Sequence, residues 1–299
     1  GFRAVVRAVG ADRVSFLQGM LTNDVAGLAP GAGCPALLLT IQGRVTADVR
    51  VVALGDELLL DVDVRAREGF LDALGKLIIA DDVELLDAPD VALVALEGSG
   101  AGALLPETER LVSHAHVTLA VAGVTVRAQR ASEVRGTGVV LHVPTSSVAA
   151  VWDALVARGA RPCGLAALEA RRVEVGVPRI GLDMDGGTLA LEVPVEEAIS
   201  TRKGCYLGQE VVARGTARGH VNRRLVGLML EGPVPPVGAP LVRDGAECGR
   251  LTSVARSFAT GGHVALGFVR REHWEPGTQL GVRYGHVVTL ARVATLPLG

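Results

Sequence analysis

At about Arg223 the hydrophobic pattern of the chain changes, and the two parts cannot fold alike. Downstream, runs such as Leu225-Val226-Gly227-Leu228-Met229-Leu230, Val264 to Val269 and Val287 to Val293 are short and strand-like. Pro233, Pro235-Pro236, Gly245, Gly261-Gly262 and Pro276-Gly277 lie between them. Short runs cut by turn residues predict a small all-β barrel or sandwich. The domain boundary is therefore placed near Asn222, giving residues 1–221 and 222–299.

Upstream, helical and strand periods alternate. Asp12 can cap a helix carrying Val14, Phe16, Leu17, Met20 and Leu21, ending near Asn23-Asp24. Three strand-like runs follow, Ala36 to Ile41, Val45 to Ala53 and Glu57 to Val62, and then a helix from Arg65 to Leu77. The pattern restarts with a strand at Val91 to Leu96 and a short helix at Ala101 to Leu105. Strands at Val117 to Val121, Val124 to Arg130 and Gly138 to Val143 precede helices at Ser147 to Arg158 and Leu165 to Val175. That order predicts an α+β fold of ferredoxin-like kind, antiparallel rather than doubly wound.

Composition excludes several function classes. Of 299 residues 49% are hydrophobic, which is globular, and the net charge of −2 recruits neither nucleic acid nor anionic membrane as a whole. No apolar run approaches the roughly 18–20 residues that span a bilayer, so no membrane partner is expected. Cys34, Cys163, Cys205 and Cys248 are scattered without a C-x-x-C pair, which fits a reducing cytoplasm and predicts no stably bound metal.

Several motifs compete with bland readings. Gly98-Ser99-Gly100-Ala101-Gly102-Ala103 formally matches G-x-G-x-x-A. However, no parallel strand ending in an acid follows it, and a strand-to-helix turn is expected. His114 and His116 alternate on a strand without further ligands, and Ser146, Ser147 and Ser253 lack a nucleophile-elbow context. In Arg172-Val173-Glu174-Val175-Gly176, Glu174 could accept two parallel N–H bonds from an amidine-like edge such as a pterin's, or pair with Arg171 or Arg172. Between Arg202 and Arg224 the basic residues Arg202, Lys203, Arg214, Arg218, Arg223 and Arg224 face a single acid, Glu210. A small anionic tail suits such a segment better than RNA, because aromatics that could stack bases make up 3% of the chain.

The most singular stretch is Lys203-Gly204-Cys205-Tyr206-Leu207-Gly208-Gln209-Glu210, which holds one of two lysines and one of two tyrosines. Keeping Lys203 against an arginine-rich background points to a site that wants a compact ammonium. Gly204 and Gly208 permit a tight turn or a close backbone approach. Cys205 reads as a nucleophile beside a cation, or as a small buried residue in a turn.

This stretch resembles the K-G-C-[YF]-x-G-Q-E signature of the YgfZ proteins, folate-binding relatives of the glycine-cleavage T-protein (aminomethyltransferase) implicated in iron–sulfur cluster assembly or repair. Phe16-Leu17-Gln18-Gly19-Met20-Leu21-Thr22-Asn23-Asp24-Val25, Gln42-Gly43-Arg44, Arg172-Val173-Glu174-Val175-Gly176 and Gly249-Arg250-Leu251-Thr252-Ser253 are similar to further segments of that superfamily. The resemblance implies a T-protein-like fold: two interleaved α/β subdomains around a folate pocket, then a C-terminal β-barrel. It implies tetrahydrofolate as cofactor, with Glu174 on the pterin and Arg172, Tyr206, Gln209 and Arg214 among the folate-binding residues. Cys205 and Lys203 would be the functional pair, with Cys205 a transient cluster ligand.

Against the G-G-x-x-D-D of T-proteins this chain has Gly43-Arg44-Val45-Thr46-Ala47-Asp48, so one of the paired acids is Ala47. T-proteins also lack the cysteine. Both departures point to the YgfZ branch, with assembly or client proteins of iron–sulfur clusters as partners. A folate-dependent aminomethyltransferase or demethylase using Asp48, and a factor supporting tRNA modification through an indirect or weak tRNA link, are the rival readings.

Overall fold

The computed structural model describes residues 2–218 and 221–298, without the side chains of Ala217, Arg218 and Val288. Arg218, counted in the basic segment, thus has its side chain outside the described residues. Contacts divide the chain into two units: Gly1–Pro162 with Val195–Val211, and Cys163–Pro194 with Val212–Gly299.

The first unit holds two antiparallel sheets. β1 (Arg3–Val9), β2 (Gly33–Leu39), β3 (Val45–Ala53), β4 (Leu58–Asp63) and β5 (Glu84–Asp87) run in the order β2-β3-β4-β1-β5. α1 (Arg13–Met20) buries Phe16 and Leu17, and α2 (Arg67–Gly75) buries Phe70 and Leu74. The helix expected to reach Leu77 stops earlier, and Leu77 lies exposed. β2 begins and ends earlier than its apolar run, leaving Ile41 exposed beside the hairpin tip.

The second sheet is β6 (Val91–Glu97), β7 (His116–Val121), β8 (Val124–Gln129) and β9 (Gly138–Pro144), ordered β6-β9-β8-β7. α3 (Ala101–Leu104) and α4 (Val148–Ala157) accompany it, and Val94, Val126, Leu141, Val143, Val151 and Leu155 share one core. The glycine-rich segment before α3 is a strand-to-helix turn; its strand β6 pairs antiparallel with β9.

In the second unit, α5 (Leu165–Val175) and the irregular segment after it pack with a closed barrel. α6 (Gln209–Arg218) follows the Lys203–Gly208 stretch, and the boundary between units falls inside it. The barrel strands are β10 (Arg223–Glu231), β11 (Pro240–Arg243), β12 (Ala246–Arg256), β13 (His263–Arg270), β14 (Gln279–Tyr284) and β15 (Val287–Ala294). They close in the order β10-β13-β12-β11-β14-β15, so no strand edge is left open. Leu228, Leu241, Leu251, Val269 and Val282 fill the lumen, each fully buried side chain being worth about 1.5–3 kcal/mol.

The units do not follow the chain-order division at residue 221. Residues 163–194 belong with the barrel because their side chains are tied to it: Arg172 donates to Ser253 at 2.7 Å, and Arg223 to Glu192 at 2.9 Å. No helix among the described residues is long and apolar enough to cross a membrane.

Candidate functional site

Three of the sequence motifs meet in the first unit. The C-terminal end of α1 leaves carbonyls without intrahelical partners, and Lys203 takes them. Its Nζ donates to the carbonyls of Gln18 at 2.5 Å, Leu21 at 2.6 Å and Asn23 at 2.8 Å, and lies 5.3 Å from the Tyr206 ring centroid. Three convergent carbonyls match the three donors of an ammonium, which a planar guanidinium could not satisfy together. Burial pulls the Lys203 ammonium down to about 8, against the opposing charge of Asp24. Thr22 Oγ1 donates to the Ala198 carbonyl at 2.6 Å, and the Leu207 N–H to Gly19 at 3.0 Å, fixing both ends of the stretch onto α1 and its exit.

The Gln42-Gly43-Arg44 turn meets the same stretch from the other side. Gly208 has φ +81°, and a Cβ there would stand 2.5 Å from the Thr40 carbonyl oxygen and 3.3 Å from the Gly43 Cα. A Cβ on Gly43 would meet the Val211 side chain at 2.9 Å. Tyr206 is buried, its phenol pushed up by burial, and Gln209 opens α6 half-buried. Between these anchors Cys205 is exposed. Cys34, by contrast, is buried and its thiol is pushed by burial to about 12.

Asp48 sits in an ion cluster that sequence reasoning missed. Its Oδ2 accepts from Arg3 Nη1 at 2.6 Å, while its Oδ1 is buried without a partner. Asp61, fully buried, accepts from Arg3 Nε and from Arg50 Nε, and Arg50 also pairs with Glu133 at 2.6 Å. Burial alone would raise the Asp61 carboxyl, but Arg3 and Arg50 override it and hold it below its ordinary range. Asp48 is thereby part of a structural pairing rather than an isolated base. Arg3 and Arg50 lie 45 and 2 positions from it. No local pattern in the sequence announces the Arg3 pairing.

Arg172 and Glu174 belong to the second unit. Arg172 is buried and donates to Glu169 at 2.8 Å, the Val177 carbonyl at 3.0 Å, Asp183 at 2.7 Å and Ser253 at 2.7 Å. Asp183 also accepts from Thr252 at 2.5 Å and Ser253 at 2.7 Å, so the Arg172 and Thr252-Ser253 motifs form one buried cluster. Arg172, grouped in sequence with the folate-binding residues, is therefore engaged within the protein as an anchor of α5. Glu174 accepts from Ser257 Oγ at 2.6 Å and from Arg171 Nη1 at 3.0 Å. Burial pushes its carboxyl up, but Ser257, Arg171 and the Ala259 N–H outweigh that and keep it below its ordinary value. Arg171 is the neighbouring arginine that the sequence offered as the alternative partner, and half of its side chain is exposed. Ser257 had no sequence signal. Arg214, also in the second unit, is exposed on α6. Among the described residues no three His, Cys, Asp or Glu side chains are grouped to hold a metal ion.

Residues 4–203 match the GCVT N-terminal domain and residues 223–298 the glycine cleavage T-protein C-terminal barrel domain. The chain belongs to the glycine cleavage T-protein family. An aminomethyltransferase of Geobacillus kaustophilus is 30% identical over 286 residues, covering 90% of this chain and 76% of that protein. One from Thermus thermophilus is 32% identical over 272 residues, covering 87% and 75%. A chloroplastic Arabidopsis thaliana protein named as a candidate transferase is 28% identical over 276 residues, and the match takes in 89% of this chain but only 63% of that relative. In fold, the T-protein family member of known structure from Bartonella henselae, the glycine cleavage system aminomethyltransferase T, superimposes with a TM-score of 0.89 at 20% identity, covering 99% of this chain and 84% of that one. The T-protein-like α+β fold with a six-stranded C-terminal barrel is thus established.

Proposed function

We propose that this T-protein family member binds tetrahydrofolate and acts, as a protein of the YgfZ branch, in iron–sulfur cluster assembly or repair through the Cys205 thiol. The observation that carries the reading is the setting of that thiol. Lys203 and Tyr206 pin the loop on either side, yet Cys205 itself is exposed. A rigidly held, accessible thiol suits passing contact with a cluster. Four ligands are normally needed, so the remaining ones come from a client protein, a second subunit or a small thiol.

Folate fits the donor set of the second unit. Glu174 is kept as a carboxylate, and among the described residues the cation on it is the half-exposed Arg171, which the N–H edge of a pterin can replace. The exposed Arg214 carries a charge of the sign that an anionic glutamate tail needs. When bound, the folate would supply one-carbon or redox chemistry; the protein's part is to hold and orient it.

The names of the relatives favour a second reading, aminomethyl transfer. Two features weigh against it: Ala47 replaces one of the paired acids, and Asp48 is paired with Arg3. Anaerobic titration with tetrahydrofolate, beside cluster-enzyme activities in cells lacking the protein, separates the readings. Cys205→Ser should bind folate like the wild type and fail to restore cluster enzymes, while Glu174→Gln should lose folate affinity by about tenfold or more. Full restoration by Cys205→Ser would remove the thiol from the function. Turnover of an aminomethyl donor by the wild type, lost in Asp48→Asn, would establish the transferase reading instead.

A further inference from the structure

The two sheets of the first unit carry a polar layer where apolar packing is usual. Cross-strand register sets Leu93, His142, Arg127 and Thr118 in one row on the second sheet. On the first sheet Arg7, Leu59 and Val52 form a row. Leu93 packs on Val5, Val52 and Leu59, so these two rows face each other. Beside that contact a cavity of about 240 Å³ opens, lined by Arg7, Glu57, Asp90, Arg127 and His142, with Thr118 and Thr125 at the rim.

The charges around this cavity balance, two arginines against two acids, but its hydrogen bonds do not. Arg7 is matched, its guanidinium meeting Asp90 at 2.8 and 2.7 Å and Glu57 at 3.5 Å. Glu57 also acts on Arg127 through its charge, without a hydrogen bond to it among the described residues. Arg127 makes no side-chain hydrogen bond or ion pair among the described residues, and its Nε is buried without a partner. His142 is only 4% exposed, and neither of its ring nitrogens has a partner among the described residues. A buried imidazole with two unmet nitrogens is costly, and side chains left so beside a cavity call for a ligand that meets them.

We propose that this cavity is a binding site for a small oxyanion, a carboxylate or phosphoryl group, held by the Arg127 guanidinium and an N–H of His142. A planar guanidinium offers paired donors to two oxygens of such a group, and a neutral imidazole adds one more. A cation would be repelled by Arg127 and could not accept from its donors. An apolar ligand would leave Arg127 and His142 unmet. The volume exceeds that of a bare anion, so the group can be the end of a small organic molecule. The site shares no residue with the folate reading: Glu174, Cys205, Lys203 and Arg214 all lie outside its lining.

The test uses the full chain with 15N-labelled histidine, titrated separately with inorganic phosphate and with acetate. The His142 ring signals should move saturably with at least one of them. Phosphate alone would assign a phosphoryl ligand, and acetate alone a carboxylate. Arg127→Gln should weaken that binding by about tenfold or more while tetrahydrofolate binds as in the wild type. If Arg127→Gln does not fold, Arg127→Lys keeps the charge without the planar fork, and weaker binding is again expected. No saturable movement with either anion, or binding unchanged in the variant, overturns the proposal. Loss of tetrahydrofolate binding together with anion binding in a folded Arg127→Gln would overturn the separateness of the two sites.

Discussion

At Gly208 the backbone adopts a left-handed φ with the Thr40 carbonyl directly against it, so an alanine must both strain and collide. Gly204, four residues earlier, has open space around any added Cβ. Gly208→Ala should therefore cost about 1–3 kcal/mol in urea unfolding, with Gly204→Ala near neutral. The sequence marked both glycines as permissive, and only the packing tells which is required. His142 supplies a second prediction. Burial pushes its imidazole down to about 4, with Asp61 only partly opposing it and Arg50 and Arg127 adding to it. Between about pH 6.5, where the unfolded histidine titrates, and about pH 4 the unfolded chain binds the extra proton. Stability should therefore fall as pH drops through that window, by up to about 3 kcal/mol, and be constant in this respect above it. His142→Gln should reduce the slope of that part of a pH–stability curve, leaving what is owed to His114, whose imidazole burial also pushes to about 4, and to His116, which burial pushes down. An unchanged curve would show that His142 takes up its proton in the folded state.

Among the elements, α5 was readable from its period and was found over the expected residues, Leu165–Val175. What it does was not readable. Arg172 and Asp183 form a buried ion pair, and Asp183 is completely inaccessible at its side chain. Arg172→Met should cost about 3–5 kcal/mol because Asp183 is left charged and uncompensated. Adding Asp183→Asn should recover part of that loss, and simple additivity in the double variant would mean the pair does not interact. β1 and α6 are among the elements that escaped the sequence reading. β1 carries Arg3 and Arg7, which break the apolar alternation until acids elsewhere in the chain pair with them. α6 contains Gly215, a weak helix residue, whose Cβ would stand 2.2 Å from a Leu191 methyl. There the glycine packs closely under Leu191, whose side chain would have to shift to admit a Cβ, which no propensity records.

At the scale of the molecule the two units are discontinuous in sequence, since residues 163–194 pack with the barrel rather than with the sheets that precede them. A fragment of residues 222–299 loses the partners of Ser253, Ser257 and Arg223, which are Arg172, Glu174 and Glu192. A fragment of residues 163–299 keeps them. The longer fragment should unfold cooperatively with dispersed amide signals, and the shorter should be markedly less stable. Equal stability of the two would show that the barrel closes its own core without α5. The family match gives adjacent N- and C-terminal domains, which is the order along the chain and not the order of packing.

Period, turn residues and motif spacing determined the α+β class, most element positions and the barrel after Arg223, because these depend on residues a few positions apart. They also singled out Lys203, Cys205, Gly208 and Glu174. Only the tertiary structure decided what those residues face. Lys203 closes carbonyls as much as 185 positions away, Asp48 answers Arg3, and Glu174 takes Ser257 from 83 positions on. Such partners are set by how strands register and chain ends close, and that geometry is a property of the whole fold rather than of any window along the chain.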